Sequence, residues 1–274
     1  MEKLDRLGWA AGFAIRAYGV RVGIRMNDPS VLERLEAHLP PAWKPASSPR
    51  VDILYSLVVG GSGARPGVRR FNLLYANATR LVRSLDLNEV FDPLESYLHL
   101  HIAEASSQRV FVHAGVVGWH GQAIIIPGRS HSGKSTLVAA MVRAGAAYYS
   151  DEYAVLDGRG RVHPYAKPLS LREGEGRKPA RYTAEALGGS TGGKPLPVGL
   201  VVVSEYKSGT TWRPRHLSAG RGVLALLANT VSARRQPVTA LATLQRVAAC
   251  ARVIKGERGE ASEIAPSLLR YLEN

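Results

Sequence analysis

The stretch GRSHSGKST, residues 128 to 136, constrains this chain more than any other feature. It follows the apolar run AIII and precedes the segment TLVAAMVRAG, which has the composition of a helix ending at Gly145. Its spacing, G-x-x-x-x-G-K-S, is that of a loop whose backbone N–H groups point inward at phosphate oxygens. The sequence therefore predicts a buried strand, a phosphate-binding loop and a helix in that order. We call residues 128 to 136 the P-loop.

Each residue type in the P-loop has its own expected role. Glycines permit a close approach of the backbone to phosphate, and the following helix presents its N-terminus to the negative charge. Lys134 is placed to reach the β and γ phosphates of ATP or another nucleoside triphosphate, and the Ser135 hydroxyl is placed to coordinate Mg²⁺. His131 is expected to contribute only its backbone. The predicted phosphate-binding residues are Gly128, Ser130, His131, Ser132, Gly133, Lys134, Ser135 and Thr136.

Phosphoryl transfer also needs a carboxylate for Mg²⁺ and a residue that orients or deprotonates the acceptor. Asp151 and Glu152 are the candidates, at the polar break in the strand-like segment AAYYSDEYAVLD. Adjacent residues of a regular strand point to opposite faces of the sheet. This pair can therefore supply both the metal ligand and the group that acts on the acceptor only where the strand ends or bends. His113 lies in RVFVHAGVV, the strand before the P-loop strand. A histidine in such an apolar setting is more often a hydrogen-bonded core residue than a catalyst.

Taken together, the segment from VHAGVV to EYAVLD resembles the core of the HPr kinase/phosphorylase superfamily and its HPr-kinase-like relatives. Members share a His-bearing strand, a hairpin, a P-loop, an R-x-G that ends the next helix, and an acidic pair on the following strand. The resemblance implies a kinase whose α/β fold is like the nucleotide domain of phosphoenolpyruvate carboxykinase, with a mixed sheet flanked by helices. It implies a catalytic set of Asp151, as base toward a serine hydroxyl, with His113 and Lys134. The implied metal set is Ser135, Asp151 and Glu152.

Residues 1 to 107 are predicted to form a smaller α+β domain that precedes a catalytic domain of residues 108 to 274. The segment VDILYSLVV and a hairpin around Asn77 have strand patterns, and a helix is expected from about Pro93 to Ser106. No motif in this first part carries chemistry, so we assign it substrate or partner binding as a hypothesis. It resembles the leading domain of HPr-kinase-like proteins of peptide-modifying systems, including the tailoring kinases that phosphorylate the C-terminal serine of lasso peptides.

The resemblance favours a seryl hydroxyl of a peptide or protein, such as a lasso precursor peptide, as the acceptor. Free serine or another small alcohol stays open as an alternative acceptor, and so does a nucleotide-binding regulatory module with little catalysis. The stretch 164 to 198 is rich in Pro, Gly and basic residues. We expect a long, partly mobile loop there that closes over the substrate or holds an acidic peptide.

Charge limits the class of partner without naming one. The chain has 36 Lys and Arg against 22 Asp and Glu, a formal charge of +14, and such an excess attracts polyanions. No aromatic-interleaved basic stripe accompanies it, so nucleic acid is not the expected partner.

No apolar run suits a membrane span and the start does not have the pattern of a signal peptide, so we expect a cytoplasmic protein, with homo-oligomerisation left open. The single cysteine, Cys250, is expected to be a small core residue.

Overall fold

The computed structural model of the protein describes two compact units, Met1–Ser107 and Gln108–Asn274. Each unit contains a mixed β-sheet with helices packed on it, which confirms the predicted α/β class. No helix in the described part of the chain is long and apolar enough to cross a membrane. The residues that the structure describes are 2–61, 69–129, 132–172 and 180–273.

The first unit is a six-stranded sheet in the order β3-β1-β2-β4-β5-β6, in which β2 and β4 are parallel and the other neighbours are antiparallel. Its core lies where the buried side chains of the sheet, such as Tyr55 and Leu74, meet Leu35 of α2 and Leu98 of α3. The predicted hairpin is present, and it turns at Asn77 with a φ of +51°. The elements are α1 (Glu2–Asp5), β1 (Ala11–Ala17), β2 (Val20–Met26), a 3-10 helix (Pro29–Val31), α2 (Leu32–Glu36), β3 (Lys44–Pro45), β4 (Ile53–Val58), β5 (Asn72–Ala76), β6 (Thr79–Ser84) and α3 (Asn88–Ala105).

The second unit is built on an eight-stranded sheet that contains the P-loop strand near its centre. The strand order is β11-β10-β7-β8-β14-β16-β15, with β9 paired to β7 beside β10. The elements are β7 (Val110–Trp119), β8 (Gln122–Pro127), α4 (Lys134–Arg143), β9 (Ala147–Ser150), β10 (Tyr153–Leu156), β11 (Arg161–His163), β12 (Leu169–Leu171), β13 (Ala180–Tyr182), a 3-10 helix (Glu185–Leu187), β14 (Leu196–Tyr206), β15 (Arg215–His216), α5 (Ala219–Leu227), a 3-10 helix (Val231–Arg234), α6 (Pro237–Cys250), β16 (Arg252–Arg258) and α7 (Ala261–Arg270).

Helices cover both faces of this sheet, and the sequence of β8 explains why. Ile124 and Ile126 point into the core formed with α4 and α7, while Ala123 and Ile125 point into the core formed with α5 and α6. An uninterrupted apolar run is typical of a strand buried on both faces. Strands β8, β14 and β16 are parallel, so their carboxyl ends meet at one edge of the sheet. Ligands of open α/β sheets bind at such an edge.

Two expectations from the sequence are wrong. The predicted loop 164 to 198 contains β12 and β13, which form a two-stranded sheet, because Leu169 and Leu171 alternate with Ser170 and bury their side chains in the core beside α4. Cys250 is exposed instead of lying in the core. It is the last residue of α6, whose buried face, including Leu244 and Val247, does not extend to that position.

Candidate active site

The P-loop leaves the carboxyl end of β8 and leads into α4, as its sequence predicts. Gly133 is the N-cap of α4 with a φ of +80°; it has no side chain that could cap the helix, and α4 has no acidic residue of its own in its first turn. The first N–H groups of an α-helix have no partner within the helix, so this end of α4 is open to an anion. Ser130 and His131, two of the predicted phosphate-binding residues, lie outside the described residues.

Gly128 is needed for space at the start of the P-loop. Its N–H donates to the carbonyl oxygen of His113 at 3.2 Å, so this group belongs to the sheet and is not directed at a ligand. A Cβ atom at Gly128 would lie 2.8 Å from the hydroxyl oxygen of Ser132. The glycine therefore lets the loop fold back closely on itself.

Lys134 is the first residue of α4 and is buried, with 6% of its surface exposed. Its ammonium group donates to the carbonyl oxygen of Arg129 at 2.7 Å, across the loop. Burial lowers the pKa of Lys134, while Asp151 and Glu152 act in the opposite direction and favour the charged form. A phosphate oxygen is a stronger, charged acceptor than this carbonyl, so the lysine gains a better partner when an anion enters the loop.

Asp151 and Glu152 lie in a bend between two strands. The pair is therefore free of the strict alternation of a strand, as the prediction of a metal ligand and a base at adjacent positions requires. Strand β9 ends at Ser150 and β10 begins at Tyr153. The buried Ser150 hydroxyl oxygen holds the bend by accepting from the N–H groups of Glu152 at 3.1 Å and Tyr153 at 2.9 Å. The N–H of Ala114 in β7 donates to the Glu152 carbonyl oxygen at 3.1 Å, and Ala114 pairs on its other side with Pro127 of β8. The acidic pair is thus two strands away from the start of the P-loop.

The carboxylate of Asp151 is buried and joins the P-loop helix to the acidic bend. The Ser135 hydroxyl donates to Oδ2 at 3.2 Å, the Ser170 N–H is 3.4 Å from the same oxygen, and the Tyr148 hydroxyl is 3.1 Å from Oδ1. Burial raises the pKa of Asp151, although the charge of Lys167 opposes this shift. A carboxylate with a raised pKa is a better proton acceptor than one on the surface.

Glu152 forms an ion pair with Lys167. The backbone carbonyl of Lys167 also accepts a hydrogen bond from Tyr148 at 2.8 Å, so this lysine is tied to both acidic residues. For Glu152 to ligate a metal ion beside Ser135, its carboxylate must either bind the metal ion and Lys167 at the same time or give up the ion pair with Lys167. The predicted metal role of Glu152 stays a prediction.

His113 lies beside the P-loop on β7, paired with Tyr153 of β10. His113 and Gly115 are two positions apart in the strand, so they lie on the same face of β7. A side chain at Gly115 would collide with Val138 of α4, which shows that this face packs against α4. The ring of His113 is therefore on the α4 side of the sheet. Burial, followed by the nearby charge of Lys134, lowers the pKa of His113 to about 4. The ring is therefore neutral at pH 7 and can hydrogen-bond a hydroxyl group.

The groups around this end of α4 suit a triphosphate with Mg²⁺. The Ser135 hydroxyl and Oδ2 of Asp151 are hard oxygen donors within 3.2 Å of each other, the kind of ligand that Mg²⁺ prefers. A cavity of about 250 Å³, which we call the Lys134 cavity, opens beside them. Its lining residues are Gly133, Lys134, Ser135, Thr136, Ser170 and Arg172.

Several residues that shape the site were not predicted from the sequence. Tyr148, Lys167 and Ser170 hold the acidic pair, and the last two lie in the stretch that the sequence predicts to be a long, partly mobile loop. Arg258, at the end of β16, donates from Nη2 to the Gly133 carbonyl oxygen at 2.9 Å. No sequence signal identifies Arg258, because it is separated from Gly133 by 125 positions.

No protein-family model and no curated protein matches this sequence. What points to a function is the geometry of this site, together with the sequence pattern of the P-loop and the acidic pair. In that geometry the first turn of α4 carries a hydroxyl group, that of Ser135, within hydrogen-bond distance of a buried carboxylate.

Proposed function

We propose that the protein is a kinase that transfers the γ-phosphoryl group of ATP, or of another nucleoside triphosphate, to a serine hydroxyl of a peptide or protein. The observation that carries the proposal is the 3.2 Å approach of the Ser135 hydroxyl, in the first turn of α4, to the buried carboxylate of Asp151. It brings together a phosphate-binding helix end and a candidate base. The mixed sheet with helices on both faces agrees with the phosphoenolpyruvate-carboxykinase-like fold of the HPr-kinase-like proteins that the sequence resembles.

In the proposed reaction, Asp151 accepts the proton of the serine hydroxyl. The serine oxygen forms a bond to the γ-phosphorus while the bond to the bridging oxygen breaks, and the electron pair leaves with the nucleoside diphosphate. Lys134 stabilises the charge on the transferring group, and Arg172, which lines the same cavity, adds a second positive charge. Ser135 and Asp151, with Glu152, would hold Mg²⁺, which when bound neutralises charge on the phosphates.

His113 acts in this scheme as a hydrogen-bonding group on the acceptor side. Because burial lowers its pKa to about 4, it is neutral at working pH and does not compete with Asp151 as the base. A neutral imidazole beside Lys134 also avoids placing a second full positive charge next to the ammonium group. The role we assign to His113 is therefore orientation of the serine hydroxyl.

The acceptor belongs to the proposal as well. A net charge of +14 favours an acidic peptide, and the first unit is the candidate for binding it. A ribosomally made peptide such as a lasso precursor peptide is the acceptor that the sequence resemblance favours. We include a cytoplasmic location in the same proposal.

The test is transfer of radiolabelled γ-phosphate from ATP to a panel of Ser-containing peptides and to free serine, in the presence of Mg²⁺. We expect label on the serine of at least one peptide and none on its Ser→Ala counterpart. The variants Lys134→Ala and Asp151→Asn should abolish transfer, whereas Val238→Ala, at an 80% exposed position of α6 in the second unit, should leave it unchanged. Label on free serine alone would establish the small-alcohol alternative. Tight ATP binding without transfer to any acceptor would favour a regulatory module and contradict the proposed kinase.

A further inference from the structure

A second cavity borders the P-loop on the side away from Asp151. It has a volume of about 470 Å³, and its lining includes Ser132 and Gly133 of the P-loop, Tyr206 at the end of β14, Arg258 at the end of β16, and Glu260 at the start of α7. We call it the Arg258 cavity. Its volume falls in the range of about 300 to 1,000 Å³ that small-molecule sites usually have.

The order of the strands places the two cavities on opposite sides of the P-loop. β8, which leads into the P-loop, has β7 and then the acidic bend on one side, and β14 and β16 on the other. A triphosphate in the P-loop with its γ-phosphate toward Asp151 therefore has its other end toward β14 and β16. Thr136, in the first turn of α4, lines both cavities and marks where they adjoin.

Arg258 supplies a buried positive charge with an unused donor. Only 2% of its surface is exposed, Nη2 donates to the Gly133 carbonyl oxygen at 2.9 Å, and Nη1 donates to that of Gly259 at 3.2 Å. Its Nε is buried and has no hydrogen-bond partner among the described residues. A guanidinium group is a strong donor to phosphate oxygens, and a buried donor without a partner is costly. Because Arg258 lines the cavity, its guanidinium group places a positive charge beside an anionic ligand bound there.

Tyr206 supplies an aromatic surface at the same cavity. Its hydroxyl donates to Oε1 of Glu260 at 2.8 Å, and the Arg258 guanidinium lies 5.4 Å from its ring centroid, so the ring is held from two directions. It is nevertheless 47% exposed, so one part of the ring stays accessible to a ligand. A fixed and exposed aromatic ring is a common partner for the flat face of a nucleobase.

We propose that the Arg258 cavity binds the nucleoside end of the triphosphate, with Tyr206 stacking on the base and Arg258 binding the adjacent phosphate. This inference rests on the proposed function, because it requires a triphosphate in the P-loop. It makes Tyr206 a residue that determines the preference for a nucleotide over a bare polyphosphate. Arg258 links this preference to the P-loop through the Gly133 carbonyl.

The experiment compares the dissociation constants of Mg·ATP and Mg·tripolyphosphate by calorimetry for the wild type, Tyr206→Leu and Tyr97→Leu. Tyr97 is the matched control, since it is 42% exposed and belongs to the first unit. Loss of one stacked base should weaken ATP binding by roughly 5- to 150-fold in Tyr206→Leu. Tripolyphosphate binding should be unchanged in that variant, and both ligands should bind Tyr97→Leu as they bind the wild type.

The other possible results separate a failure of the nucleoside assignment from a failure of the proposed function. If Tyr206→Leu binds ATP as tightly as the wild type, or loses affinity for ATP and tripolyphosphate equally, the nucleoside assignment is wrong while the P-loop assignment stands. If the wild type binds neither ligand, the proposed function is wrong and the nucleoside assignment is wrong with it. Since the readout is binding alone, a protein that binds ATP but transfers no phosphate still tests the cavity.

Discussion

Replacing Gly133 by alanine would place a methyl group where the guanidinium of Arg258 now lies. The Cβ atom of the new residue would be within 2.3 Å of Nη2 of Arg258. The backbone at this position also has a φ of +80°, a conformation that residues with a side chain rarely adopt. The substitution therefore strains the backbone at the start of α4 and displaces a buried charged side chain.

The two effects have separate magnitudes. An L-residue in the left-handed region costs about 1–2 kcal/mol. Displacing Arg258 removes its 2.9 Å hydrogen bond to Gly133 in a buried site, which costs about 1–3 kcal/mol more. We therefore expect the free energy of unfolding of Gly133→Ala to fall by about 2–5 kcal/mol. We also expect ATP to bind more weakly, because the same backbone shapes the phosphate-binding end of α4.

Urea unfolding of the wild type, Gly133→Ala and Gly188→Ala separates these effects. Gly188 has a φ of +78° and nothing within 4 Å of its Cβ position, so alanine there should cost only about 1–2 kcal/mol. The difference between the two variants then measures the contact with Arg258. Equal losses of stability in both variants would refute the packing of Arg258 against Gly133.

Three further predictions concern Asp151, His113 and bound Mg²⁺. Asp151→Asn should lower transfer by at least about 10²- to 10⁴-fold, which is below detection in the labelling assay. Urea unfolding of this variant near pH 7 should nevertheless show no loss of stability, because burial raises the pKa of Asp151 and so disfavours its ionised form in the folded protein. The pKa of His113 falls on folding from 6.5 to about 4, so the wild type should lose up to about 3 kcal/mol of unfolding free energy as the pH drops through that interval. His113→Gln should lack this part of the loss when unfolding is measured at pH 7 and pH 4.5, and an identical loss in both proteins would exclude the shift. Chelation with EDTA should stop transfer and excess MgCl₂ should restore it, whereas transfer that persists in EDTA would contradict a Mg²⁺-dependent reaction.

Local pattern was enough to predict the central part of the second unit. The apolar run before the P-loop is β8, and the segment ending at Gly145 contains α4, because periodicity and glycine position encode these elements within about 25 residues. The acidic pair was also expected at a break in a strand, and β9 and β10 are separated there. The side chains of Asp151 and Ser135 meet because α4 and this bend pack on neighbouring parts of the sheet.

Contacts between distant parts of the chain were not predictable in this way. Arg258 reaches Gly133 only because β16 is parallel to β14 and ends at the same edge of the sheet as β8. Lys167 and Ser170 come from a stretch whose Pro and Gly content suggested an irregular loop, although Leu169 and Leu171 fix it against α4. Such contacts depend on strand order, which no local pattern in the sequence encodes.

The most direct test of the proposed kinase follows the γ-phosphate of labelled ATP through a single turnover with enzyme in excess. Ser-containing peptides and free serine serve as acceptors, and the label is divided among ATP, serine phosphate and inorganic phosphate. We predict that the label moves to a serine oxygen faster than it appears as inorganic phosphate, and that Asp151→Asn abolishes the serine product. Label that stays on ATP, or that is released as inorganic phosphate at the same rate with and without an acceptor, would contradict the proposed kinase.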